Sequence, residues 1–205
     1  MPHAVLLGDS ILDNGSYVAP ESAVSDHLRN ILPSKWRVTL LAQDGATATA
    51  TFEQIDRIPD DATHLILSAG GNDALWMSGN LYHETTETVR ESLTKLGEAR
   101  IEFQTIYTKL IQKLRTLQTH LTVCTIYDSV PGLELSETTG VSVFNDTISR
   151  VAAERNLPLI DLRVICDEIT DYSERSPIEP SSSGGLKIAR AISKVVQSYD
   201  QLIVG

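Results

Sequence analysis

Short, uninterrupted apolar runs alternate along this chain with longer stretches in which apolar residues recur every three or four positions. The runs at 4–7, 37–41, 65–68, 121–126 and 158–160 are bounded by turn residues, which predicts buried parallel strands. The stretches at 21–32, 84–118, 137–155 and 184–199 have the spacing of amphipathic helices, the second expected to break in two near Gly97. Such a βα repeat predicts a three-layer α/β/α sandwich around a five-stranded parallel sheet. Its crossovers are right-handed and its ligands bind beyond the carboxyl ends of the strands. No repeat, linker or low-complexity tract interrupts the pattern, so 1–205 reads as a single domain of ordinary size.

Composition removes several partners. The formal charge of −10, from 17 basic and 27 acidic residues without a cluster of Lys and Arg, repels nucleic acid and anionic membranes. No apolar run nears the ~20 residues that span a bilayer, and no basic-then-apolar leader opens the chain, so a cytoplasmic protein is expected. Cys124 lies in an apolar run and Cys166 near a helix start, without C-x-x-C spacing. They read as small buried hydrophobes, and neither metal nor cofactor is expected.

The unusual polar residues gather at one end of the predicted sheet. "GDS" at 8–10 ends the first strand, "QDGAT" at 43–47 the second and "AGGND" at 69–73 the third, while "SPIEPSSSGG" at 176–185 precedes the last helix. Scattered loop motifs would divide between the two rims, so their coincidence on one points to a site. Acyl transfer needs a hydroxyl nucleophile, a base, and N–H donors aimed where charge develops on a carbonyl oxygen. Ser10 supplies a hydroxyl and its own N–H, Gly45 a second N–H clear of any side chain, and Asn72 an amide donor. Each also has a plainer reading: Ser10 as a helix cap, Gly45 as a positive-φ residue, and Asn72 as a turn residue beside Asp73. A nucleotide site is disfavoured because the first strand–helix turn lacks a phosphate loop.

In this order and spacing, "GDS", the isolated Gly45 and "GGND" resemble the first three blocks of the SGNH (GDSL) hydrolases, and the resemblance runs from Leu6 to about Ile192. It implies a flavodoxin-like fold and a serine esterase or lipase that cleaves small carboxylic esters through an acyl-enzyme. Ser10 is then the nucleophile, and Ser10 N–H, Gly45 N–H and the Asn72 amide form the oxyanion hole. The partner implied is a small-molecule ester.

The fourth block departs from the family pattern, which is Asp-x-x-His. Aligned on Pro180 and Gly184, Ser176 takes the place of the Asp and Glu179 that of the His. All five histidines lie upstream, at 3, 27, 64, 83 and 120. Three accounts stay open. Glu179 is the base, as in the Ser-Glu-Asp arrangement of sedolisin-type peptidases, with burial raising its pKa. Alternatively His83, ten residues beyond Asp73, folds into the rim. In the third account catalysis is lost and the rim is a ligand-binding site on the same fold. The acyl group is expected near Leu75 and Trp76, the leaving group near 177–181, and short acyl chains are expected to be preferred.

Overall fold

The structure is a computed structural model that describes residues 1–203, with side chains through residue 199. Five strands, β1 (His3–Gly8), β2 (Arg37–Leu40), β3 (His64–Ser68), β4 (His120–Cys124) and β5 (Leu159–Ile160), form one all-parallel sheet in the order β2-β1-β3-β4-β5. Every strand lies in or overlaps a run read from the sequence. The helices are α1 (Gly15–Val18), α2 (Val24–Ile31), α3 (Phe52–Ile55), α4 (Gly71–Leu81), α5 (Val89–Arg115), α6 (Leu135–Glu154) and α7 (Ser182–Ile203).

The period of two along the strands divides the core into two layers. Val5, Leu7, Leu65, Leu67, Leu121 and Val123 face one side, where they meet Phe103, Tyr107, Leu110 and Leu114 of α5 and Phe144 and Ile148 of α6. Ala4, Leu6, Ile66 and Cys124 face the other and pack on Leu28 of α2 and Ile188, Ile192 and Val196 of α7. Both cysteines are buried and free. None of the helices is long and apolar enough to cross a membrane, among the described residues.

Two elements differ from expectation. Helix α5 runs unbroken through Gly97 for 27 residues. A glycine in a helix interior costs about 1 kcal/mol relative to alanine, and the buried face from Phe103 to Leu114 outweighs that cost. Helix α4 lies outside the expected helical stretches and starts directly at Gly71, within the "AGGND" motif.

The chain leaves β1 toward β2 and then returns to the far side of β1 as β3, so the sheet's topological switch lies between β1 and β3. A crevice opens at that point beyond the carboxyl ends. Gly8 closes β1 there with φ +113°, and a Cβ on it would stand 1.5 Å from the Ser68 carbonyl oxygen. Only glycine lets the two strand ends approach this closely. The Gln54 side chain clamps the same residue, accepting from Gly8 N–H at 2.7 Å and donating to its carbonyl at 2.8 Å.

Candidate active site

Beyond Gly8 the chain turns tightly. The N–H groups of Leu12 and Asp13 both donate to the Asp9 carbonyl at 3.1 Å, and Asp9 N–H donates to the Ser68 carbonyl at 3.0 Å. This turn holds Ser10 at the rim with 7% of its surface exposed. The cap position of α1 belongs to Asn14, so Ser10 is not a helix cap. Nor does Asn14 cap α1 with its side chain. Its Oδ1 accepts the Val24 N–H and its Nδ2 donates to the Pro180 carbonyl, both at 3.0 Å, tying the first turn to α2 and to the 176–181 loop.

The loop after β2 approaches the same turn. Gln43 N–H donates to the Gly8 carbonyl, and Gly45 sits beyond it with φ +77°. From α4, the Asn72 amide donates one N–H to the Ala46 carbonyl at 3.0 Å, leaving its other N–H unengaged. The backbone N–H groups of Ser10 and Gly45 likewise have no acceptor among the described residues. Asp73 turns the other way: its Oδ2 accepts the Ala48 N–H at 2.9 Å, and burial raises its pKa.

The 176–181 loop supplies the remaining piece. Glu179 N–H donates to the Ser176 carbonyl at 3.0 Å, the Ser173 N–H to the Glu179 carbonyl at 2.8 Å, and the Tyr127 hydroxyl to the Ile178 carbonyl at 2.5 Å. So held, Glu179 is only 4% exposed. Burial pushes its carboxyl up to about 7. The neighbouring Ser10 pulls the other way, and the charges of Asp9, Asp44 and Asp13 add to the rise. Ser176 supports this turn through its backbone, and its hydroxyl makes no hydrogen bond among the described residues.

Ser10, Asn72 and Glu179 line one cavity of about 680 Å³, open mouth included, between α4, α6 and the strand ends. Its walls are largely apolar, with Leu75, Met77, Ile126, Val130 and Val141 among them. Gly45 does not line it. Trp76 does not either: it is 69% exposed and lies on the opposite side of α4, in a shallow groove against α5. Pro177 and Ser181 line a separate depression on the outer side of the loop, with Tyr17 and Arg175.

No histidine reaches this cavity among the described residues. His83 is exposed in the turn after α4. His3 and His64 stand at the amino-terminal ends of β1 and β3, His120 begins β4, and His27 contacts Ser182 at 3.0 Å. Among the described residues, no three His, Cys, Asp or Glu side chains are gathered to hold a metal ion.

The sequence reading gave Asp9 no role. Its carboxyl is buried, accepts from Ser68 Oγ at 2.9 Å and Ile11 N–H at 3.3 Å, and keeps Oδ2 without a partner among the described residues. Burial pushes it up to about 7, against those two hydrogen bonds, and the charge of Asp73 adds to the rise. Tyr82, Glu137 and Gly140 were also missed, although a glycine inside a predicted helix was a signal of close approach. A Cβ at Gly140 would stand 2.5 Å from the Tyr82 hydroxyl oxygen, so the bare helix backbone is what admits the phenol.

The fold and the crevice at its switch point define a class, a doubly wound α/β protein with its ligand site at the carboxyl edge of the sheet. Within that class the chain belongs to the GDSL-like lipase/acylhydrolase family, whose profile matches residues 6–184. It is by family an ester hydrolase. Among solved structures it is similar to the acetyl xylan esterase AlAXEase, at 17% identity and TM-score 0.72 over 95% of this chain and 99% of that one. The lipase Lip_vut3 from a goat rumen metagenome superposes with TM-score 0.73 at 17% identity, over 94% and 96% of the two chains. The esterase EstA from Pseudoalteromonas sp., solved with monoethylphosphonate as inhibitor, does so with TM-score 0.69 at 14% identity, over 98% and 100%. No curated protein matches the sequence significantly.

Proposed function

We propose that the protein cleaves esters of short carboxylic acids through an acyl-enzyme on Ser10, with Glu179 as the base. One observation carries the reading: Ser10 lines the same apolar cavity as a carboxyl, Glu179, that burial pushes up to about 7. As Ser10 Oγ attacks the carbonyl carbon, Glu179 takes its proton, and returns it to the alkoxide as the ester C–O bond breaks. Water then repeats the sequence on the acyl-serine, releasing the carboxylic acid and restoring the hydroxyl. Charge on the carbonyl oxygen meets the free N–H groups of Ser10 and Asn72, which line the cavity, and the Gly45 N–H would join them only from the rim, on the loop that Asn72 holds through Ala46. Asp73, Ser176 and His83 have no part in these steps.

Reaction with a fluorophosphonate probe followed by mass mapping tests the nucleophile. Labelling is expected at Ser10 at about pH 8, where Glu179 is ionised, and is expected to weaken as the carboxyl is protonated. Absence of labelling across the pH range would instead favour a ligand-binding member of the fold.

The acyl arm is placed in the cavity beside Leu75, with the alcohol leaving through the open rim. Tyr82 lines the cavity on its α6 side, its hydroxyl donating to the Ser136 carbonyl at 2.8 Å. Activity on p-nitrophenyl esters is therefore expected to peak at short acyl chains, and Tyr82→Ala to move the peak to longer ones. A maximum at long chains in the parent would contradict this placement.

A further inference from the structure

We propose that this cavity selects esters whose acyl arm carries a positive charge, held at its far end between the Glu137 carboxylate and the Tyr82 ring. The proposal deepens the ester-hydrolase reading and rests on it.

Glu137 stands in the first turn of α6 and lines the cavity with Tyr82. Its Oε2 accepts the Glu134 N–H at 2.8 Å, the return half of a capping box, which anchors the side chain. Its Oε1 has no protein donor among the described residues. The Tyr82 phenol crosses to the neighbouring Ser136 carbonyl, so ring and carboxylate share one end of the cavity. An ammonium there meets both a counter-charge and an aromatic ring.

The rest of the wall agrees in sign. Asp9 and Glu179 complete its carboxyl groups, and no Lys, Arg or His lines it among the described residues. Asp9 and Glu179 each keep one buried carboxyl oxygen without a hydrogen-bond partner among the described residues, and Asp9 Oδ2 lies 3.6 Å from where a Cβ on Gly71, itself part of the wall, would stand, so no protein donor offsets that end of the cavity. The outer surroundings add to the field, since Asp13 and Asp44 raise the Glu179 pKa from outside the cavity.

The test compares ethyl esters of β-alanine and ε-aminocaproic acid with their neutral counterparts, ethyl butanoate and ethyl heptanoate, and with the anionic monoethyl succinate. Each kcat/KM is divided by the rate of alkaline hydrolysis to remove inductive effects. The cationic ester is expected to be favoured on the order of tenfold at one chain length or both, less so at high salt, with the anionic ester slowest. Glu137→Gln retains an acceptor for the Glu134 N–H, so α6 keeps its cap, and the cationic-to-neutral ratio is expected to fall toward one. No cationic preference at either length, or one that Glu137→Gln leaves intact, overturns the proposal. Calorimetric binding of hexylammonium against hexanol reads the same selection without turnover, and equal affinities also overturn it. Preference for hexylammonium in a protein that cleaves no ester would uphold the cavity's selection and sink the hydrolase reading.

Discussion

Glu179→Gln is expected to lower kcat/KM by roughly 10²–10⁴, the range lost with a general base, without unfolding the protein. Gln preserves the shape of the side chain but has no basic site for the serine proton. The parent's pH profile should carry the same signature. A carboxyl pushed up to about 7 is protonated and idle in acid, so activity rises with pH through about 7, as it would for a histidine. Asp9, also pushed up to about 7, contributes its charge to that limb, and the two carboxyls titrate as a coupled pair. The stability measurement runs in the opposite direction. Because the folded state resists ionising Glu179, it loses stability as pH climbs from the ordinary carboxylate range through about 7. Glu179→Gln removes that loss and should melt no lower than the parent at about pH 8. Full esterase activity in the Gln variant would exclude the carboxylate as base.

Asn72→Ala is expected to cost roughly 10²–10³ in kcat with little change in KM, because an oxyanion donor bonds most strongly in the transition state. The substitution also removes the bond to the Ala46 carbonyl, which positions the Gly45 loop. Asn72→Asp separates the two effects. It keeps the side-chain length but presents acceptors to both the carbonyl of Ala46 and the oxyanion, so it should be at least as damaging as Ala. Steady-state kinetics on a short p-nitrophenyl ester measure both, and a folded Asn72→Ala enzyme at parental rate would remove Asn72 from the mechanism.

The strands and the rim were legible because they depend on short-range signals. Apolar runs such as 65–68 are bounded by turn residues, and the motifs "GDS" and "GGND" sit where those runs stop. Helix α4 was harder to read, since its apolar residues divide between two grooves and leave Trp76 exposed. The break expected at Gly97 failed because local propensity was outweighed by burial along the following turns. Position alone brought Glu179 forward as a candidate, but its loop is held down by Tyr127 and Asn14, both far away in sequence, as well as by the nearby Ser173. The far wall was the least visible part. Glu137, Gly140 and Tyr82 meet only because α4 and α6 pack together, and the glycine at 140 is the one local sign of that meeting.

Asn14 joins the first turn of the chain to a loop 166 residues downstream through one side-chain amide. Since its other end accepts the first N–H of α2, three segments share a single buried fastener. Opening any one of them breaks a bond belonging to the others, which makes their local unfolding one cooperative event. In hydrogen exchange the amides of Val24, Glu179 and Ser181 should therefore open with a common free energy, and Asn14→Ala should split that value into separate, lower ones. Ser10 and Glu179 would then lose their alignment together, well before the sheet beneath them melts.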